Sequence, residues 1–84
     1  GTDQTIKRAG LYVKDFSLIK VAKPKQDLRF DVPVIGLRTI ENMVSSGGKL
    51  IAVSAGRALF FDKEKSIELA DQNGLIITGI KDLI

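Results

Sequence analysis

The stretch KLIAVSAGRALFFDKEKSIELADQNGLIITGI, residues 49–80, decides the fold class. It opens with a short apolar run, residues 49–54, that is typical of a strand. Asp62 is a candidate N-cap for a helix over residues 63–73, and residues 75–80 predict a buried strand after it. Strands alternating with helices of this length predict a mostly parallel sheet with helices packed on it.

Within this stretch a second apolar run, residues 58–61, follows the first after Ala55-Gly56-Arg57. So short a connection is typical of neighbouring antiparallel strands, and we predict a hairpin here. The backbone N–H groups of residues 55–57 could also bind an anion, but a simple turn is the favoured interpretation.

Toward the front of the chain, residues 2–9 predict a short helix that Gly10 ends, with Thr2 or Asp3 able to cap its first turn. Residues 17–22 predict a strand. Before the central stretch, residues 37–46 carry apolar side chains at helical spacing, and Ser45-Ser46-Gly47-Gly48 supplies a stop. The predicted fold class is therefore α/β, a small mixed and mostly parallel sheet with helices packed on it and one antiparallel hairpin.

The composition excludes several classes of enzyme. The 84 residues suit a single domain and contain neither cysteine nor histidine, so disulfides, thiolate nucleophiles, histidine triads and Cys/His zinc sites are ruled out. The remaining oxygen and cationic nitrogen groups suit Mg²⁺ and phosphate oxygens. The net charge of +3 lies in the front part, where residues 1–31 hold seven Lys/Arg against four Asp/Glu. This excess can attract an anionic ligand but is smaller than that of dedicated nucleic-acid binders.

The motif segment, residues 23–33, reads KPKQDLRFDVP and carries the chemistry. Charged and apolar residues alternate in it, so Asp27, Arg29 and Asp31 share one face of an extended chain. In a fully extended segment the two aspartates would lie about 13 Å apart, too far to share one ion. Either the chain bends between them, or they have separate roles.

Cations and carboxylates occur together here, as a Mg²⁺-dependent phosphoryl-transfer site requires. The cations Lys20, Lys23, Lys25 and Arg29 could bind a diphosphate. The alternative is a half-buried edge strand whose charges only protect it against aggregation.

At this segment the chain resembles the UDP-2,3-diacylglucosamine pyrophosphatases of the LpxI type, enzymes of lipid A biosynthesis. The resemblance runs through nearly the whole chain and is carried by Gly1-Thr2-Asp3, Lys20-x-Ala22-Lys23-Pro24-x-Gln26-Asp27-x-Arg29-Phe30-Asp31-x-Pro33-x-x-Gly36-x-x-Thr39, Ala55-Gly56, and Asp62 with the helix after it. Ser54 departs from the family pattern, which leads us to expect an acidic residue there.

The resemblance implies a Mg²⁺-assisted hydrolysis of UDP-2,3-diacylglucosamine to UMP and 2,3-diacylglucosamine 1-phosphate. It also implies that residues 1–84 are the C-terminal, catalytic-side domain of a two-domain enzyme. A homodimer is expected for the whole enzyme. The chain starts with glycine and lacks a secretory leader pattern, so we expect a piece of a longer cytoplasmic protein, and peripheral contact with the inner membrane is left open.

The resemblance also suggests roles for individual residues. Asp31 is the first candidate for binding the metal or orienting water, because the Val32-Pro33 exit restrains its backbone, and Asp27 is the second. Phosphate charge is assigned to Arg29, Lys23, Lys25 and Lys20, a polar contact to Gln26, and the cleft edge to Thr2 and Asp3. Two competing hypotheses are a phosphate- or nucleic-acid-binding module without catalysis and a purely structural domain.

Overall fold

The computed structural model describes residues 1–24 and 30–81, with residues 24, 30 and 31 described by their backbone alone. The helices of this part are α1 (Thr2–Tyr12), α2 (Leu37–Ser46) and α3 (Lys63–Gln72). Its strands are β1 (Ser17–Lys20), β2 (Lys23–Pro24), β3 (Phe30–Asp31), β4 (Val34–Ile35), β5 (Leu50–Ser54), β6 (Leu59–Phe60) and β7 (Ile76–Ile80). Among the described helices, none is long and apolar enough to cross a membrane.

The main sheet is parallel and has the order β1-β5-β7, with β5 in the middle. Each of its strands follows a helix after a short connection, α1 before β1, α2 before β5 and α3 before β7. Because the strands are parallel and the connections are short, all three helices begin near the edge of the sheet where the strands end. We call this edge, at Lys20, Ser54 and Ile80, the carboxyl edge, and the opposite edge, at Ser17, Leu50 and Ile76, the amino edge.

The helices lie side by side on one face of the sheet, α1 against α2 and α2 against α3. Their buried side chains share a core with the strands, formed by Ile6, Ile35, Ile40, Met43, Ile51, Val53, Ala70 and Leu75. On the other face Ile19 and Ile76 are 64% and 60% exposed. The prediction that the last strand is buried is therefore wrong, because β7 is an edge strand of the sheet. The predicted α/β class with a mostly parallel sheet is confirmed.

The helix predicted over residues 37–46 is confirmed at both ends. It stops at Gly47, which adopts a left-handed conformation with φ 87°. Glycine reaches this conformation without the steric cost that a Cβ would add. Asp62 is the N-cap residue of α3, as predicted, although its side chain makes no capping hydrogen bond.

The predicted end of the first helix at Gly10 is wrong, because α1 continues to Tyr12. Gly10 is instead a contact point between helices: a Cβ built on it would lie 2.6 Å from the backbone oxygen of Ser46. The capping prediction is also wrong, since the N-cap is Gly1 and both Thr2 and Asp3 are inside the helix.

The predicted hairpin between residues 49–54 and 58–61 is not present. β6 pairs in parallel with β4, where Leu59 N–H donates to Pro33 O at 2.9 Å and Phe61 N–H to Ile35 O at 2.8 Å. The physical reason is that β5 is the central strand, and its two edges are already occupied by β1 and β7. The favoured turn interpretation of residues 55–57 is confirmed, since Arg57 N–H donates to Ser54 O.

The motif segment is not one extended strand. Its two ends pair with each other antiparallel, Lys23 opposite Asp31 and Pro24 opposite Phe30. The separation of about 13 Å was predicted for Asp27 and Asp31, and Asp27 lies outside the described residues, so that distance stays a prediction.

Candidate functional site

A cleft of about 600 Å³ opens at the carboxyl edge. Its walls come from the start of α1, the end of β1 and both ends of the motif segment. The polar side chains among its lining residues belong to Thr2, Thr5, Lys20 and Lys23. Ligands of open parallel sheets bind outside the carboxyl ends of the strands, so the cleft lies where this architecture places a ligand.

Helix α1 brings the positive end of its dipole to this cleft. Its first residue, Thr2, lines the cleft, and Thr5, one turn on, donates its hydroxyl to Gly1 O at 3.0 Å. Unsatisfied N–H groups and the dipole at a helix start favour bound anions.

Lys20 ends β1 and connects the main sheet to β4. Its ammonium donates a hydrogen bond to Val34 O at 2.8 Å, across the wall of the cleft. An ammonium carries three N–H donors, so this bond leaves Lys20 able to contact an anion as well. The hydrogen bond fixes a positive charge at the cleft.

Lys23 and Asp31 are brought together by the β2–β3 pair, in which they lie directly opposite each other. The side chain of Lys23 is exposed and lines the cleft, as do Val32 and Pro33, the residues that follow Asp31. The backbone of Asp31 therefore lies beside the cleft, next to a lysine that faces it.

Asp3 lies at the start of α1 but pairs with another helix. Its carboxylate is 3.6 Å from Arg38 Nε in the first turn of α2. The Arg38 side chain is 85% exposed, so the pair is a solvent-screened contact. Of the two residues predicted for the cleft edge, Thr2 lines the cleft, while Asp3 links α1 to α2.

Four predicted site residues lie outside the described residues: Lys25, Gln26, Asp27 and Arg29. Their predicted roles stay predictions. Among residues 1–24 and 30–81, no group of three or more acidic side chains is placed to hold a metal ion. Mg²⁺ needs fewer, because it is usually held by one or two carboxylates with substrate phosphates and water.

Two features of the site were missed from the sequence. The first is apolar: Ile19, Val32 and Val34 line the cleft and are 64%, 40% and 43% exposed. The second is the contact of Ser54, a residue noted only for departing from the family pattern, whose hydroxyl accepts a 2.7 Å hydrogen bond from Ala22 N–H. Its place at the end of the central strand is a signal that could have been used, since sites of α/β sheets collect there.

The sequence profile of the family described as LpxI C-terminal domain matches residues 1–78. The chain is also similar to the UDP-2,3-diacylglucosamine pyrophosphatase LpxI of Caulobacter vibrioides, with 41% identity over 63 residues. That alignment covers 75% of this chain and 22% of the relative. The chain thus spans about a fifth of the length of the relative.

Proposed function

The chain belongs to the LpxI C-terminal domain family, and from this premise we propose that it is the catalytic-side part of a longer hydrolase acting on UDP-2,3-diacylglucosamine. The proposed reaction, a step of lipid A biosynthesis, is attack of water on the pyrophosphate to give UMP and 2,3-diacylglucosamine 1-phosphate. The observation that supports the proposal is the cleft at the carboxyl edge, which Lys20, Lys23 and the start of α1 line, with the backbone of Asp31 opposite Lys23.

The positive groups of the cleft suit a pyrophosphate. Lys20, fixed by its bond to Val34 O, and Lys23, exposed beside it, place two positive charges along one wall. Charge-assisted hydrogen bonds of this kind are about twice as strong as neutral ones and would hold the substrate in place for attack by water. Arg29 and Lys25 complete the proposed phosphate-binding set, with Gln26 as a polar contact.

The carboxylates are proposed to act on the attacking water or on a metal ion. Asp31 and Asp27 are oxygen donors of the type that Mg²⁺ prefers, and two carboxylates with phosphate oxygens form an ordinary magnesium site. When bound, the ion would polarise the phosphoryl oxygens. The β2–β3 pair sets the backbone of Asp31 opposite Lys23, a cation that lines the cleft.

The exposed apolar side chains around the cleft support a lipid substrate. Ile19, Val32 and Val34 offer apolar surface beside the lysines, and each is at least 40% exposed. Such a surface can cover the start of an acyl chain while the phosphates meet the cations. We extend the proposal to a cytoplasmic homodimer that includes the N-terminal domain and contacts the inner membrane peripherally.

The test is hydrolysis by the full-length protein. Purified enzyme with UDP-2,3-diacylglucosamine and Mg²⁺ should release UMP, and EDTA should abolish the release until excess Mg²⁺ restores it. A full-length protein that releases no UMP with Mg²⁺ present contradicts the reaction. Hydrolysis that EDTA does not change contradicts the magnesium part alone.

Binding of phosphate or nucleic acid without catalysis is the competing function, because lysines and a helix start bind anions in either case. A salt titration separates the two. Nucleic-acid affinity should fall steeply with salt and survive Asp31→Asn, whereas hydrolysis depends on that carboxylate.

A further inference from the structure

Ser54 contacts the residue directly before the motif segment and is almost completely buried. It is the last residue of β5, the central strand, and only 1% of it is exposed. Its Oγ accepts a hydrogen bond from the backbone N–H of Ala22, 32 residues earlier in the chain, at 2.7 Å. Ala22 is itself 3% exposed, so water does not replace this bond easily.

The side chain of Ser54 makes the next contact between these parts of the chain, beyond the last backbone pair of β1 and β5. β1 and β5 pair through Lys20 and Val53, and beyond this pair β1 leaves the sheet toward β2. The carbonyl of Ser54 accepts from Arg57 N–H in the turn after β5, at 3.3 Å. The hydroxyl of Ser54 accepts from the Ala22 amide, directly before the start of the motif segment.

The contact between Ser54 and Ala22 can change the position of residues in the proposed site. Ala22 is bonded to Lys23, and Lys23 lies opposite Asp31 in the β2–β3 pair. A displacement of Ala22 therefore moves Lys23, which lines the cleft, and with it the backbone of Asp31, which pairs with Lys23. Displacements of about 1 Å can cost roughly a hundredfold in rate.

We propose that Ser54 is a positioning residue for the phosphate site, acting through the Ala22 amide to set the location of Lys23 and Asp31. This inference rests on the proposed function, because it assigns Ser54 a role in that same site. Ser54 does not touch the substrate. Through its bond to Ala22, Ser54 holds the start of the β2–β3 pair against β5, the central strand of the sheet.

The experiment compares three variants of the full-length protein. Ser54→Ala removes the hydroxyl, Ser54→Thr keeps it, and Ser54→Val has the shape of threonine without it. For each, amide hydrogen exchange at Ala22, the amide shifts of Lys23 and Asp31, and kcat and KM for UMP release are measured. Ser45→Ala is the control, because Ser45 is exposed and its hydroxyl bonds to Asn42 O within α2.

Ser54→Ala should raise Ala22 exchange by roughly tenfold, the effect of one lost buried hydrogen bond. It should shift the Lys23 and Asp31 amides and lower kcat by about ten- to a hundredfold with little change in KM. The threonine variant should recover most of kcat, the valine variant should not, and the Ser45 control should match the parent.

Two results would overturn the inference. One is unchanged Ala22 exchange and unchanged Lys23 and Asp31 shifts in Ser54→Ala. The other is equal kcat for Ser54→Thr and Ser54→Val, which would leave the hydroxyl without a role even if the alanine variant failed to fold. Should the parent release no UMP, the proposed reaction fails, and the exchange and shift measurements decide the role of Ser54 separately.

Discussion

The two edges of the main sheet both carry a cleft with lysines, and they differ in how the surrounding backbone is held. At the amino edge a cleft of about 430 Å³ is lined by Lys14, Asp15 and Lys49 among others. The loops there bond to each other through the backbone, Asp15 N–H to Gly47 O and Lys49 N–H to Phe16 O, both at 2.9 Å. The loops at this edge are held together by backbone hydrogen bonds, which do not depend on the type of side chain.

At the carboxyl edge, backbone bonds such as Ala55 N–H to Ile80 O are joined by two side-chain connections between elements. Lys20 reaches Val34 O, and Ser54 reaches the Ala22 amide. All three helices also begin here, so their positive ends add to the lysine charges. The comparison teaches that two clefts with lysines can be built differently, and under our proposal the amino edge is scaffold while the carboxyl edge positions charge for a ligand.

The largest effect expected from this difference is at Asp31. In the full-length protein, Asp31→Asn should lower kcat by at least about 100-fold, because our proposal gives this carboxylate the role of binding metal or orienting water. The thermal midpoint should stay near that of the parent. Asp15→Asn is the matched control at the amino edge, since Asp15 has φ 60° and asparagine tolerates that conformation. Equal activity of the Asp31 and Asp15 variants would contradict the proposal that the site lies at the carboxyl edge.

A smaller loss is expected from one lysine of the cleft. Lys23→Met should lower kcat/KM by roughly tenfold or more, since a charge-assisted hydrogen bond contributes about 1.5–3 kcal/mol. Lys14→Met, an exposed lysine at the amino edge, should change kcat/KM by less than about twofold. Steady-state UMP release measures both. If kcat/KM fell more in the Lys14 variant than in the Lys23 variant, the anion would bind at the amino edge, and the proposed site would be wrong.

At the amino edge the expected effect is on stability alone. Gly10→Ala should lower the free energy of unfolding by about 1 kcal/mol or more, because the clash with the Ser46 backbone exceeds the gain in helix propensity. Urea unfolding measures it, with the exposed Lys7→Ala in the same helix as control. If the folded Gly10 variant loses activity as Asp31→Asn does, the amino edge is more than scaffold.

The smallest effect is expected from the ion pair between α1 and α2. Arg38→Met should change the free energy of unfolding by less than about 0.5 kcal/mol, because the Arg38 side chain is 85% exposed and the pair is screened by solvent. A double-mutant cycle with Asp3→Asn isolates the pair. A coupling above about 1 kcal/mol would show that exposed charges hold the carboxyl edge together.

Local signals in the sequence predicted the bounds of helices and strands better than they predicted which elements contact each other. The helix over residues 37–46 has apolar periodicity and a glycine stop of its own, and its bounds are those predicted. Gly10 carries the same local stop signal, but its reason is a close approach to Ser46, a contact that the local pattern does not contain. The pairing of β6 with β4 likewise depends on both edges of β5 being occupied.

The site was predictable in part for the same reason. Thr2, Lys20 and Lys23 line the cleft, and they belong to segments whose charge and position were visible in the sequence. The bond between Ser54 and Ala22 joins positions 32 residues apart, and no local pattern signals it. Only the order of the strands brings the end of β5 beside the start of the motif segment.

The most direct measurement is an amide chemical-shift titration of the isotope-labelled full-length protein with UMP and Mg²⁺. We predict saturable shifts at Thr2, Lys20, Lys23 and Asp31, at the carboxyl edge, with Lys14, Asp15 and Lys49 unchanged. Shifts confined to the amino edge, or no shift at either edge with UMP in millimolar excess, would contradict a phosphate site at the carboxyl edge.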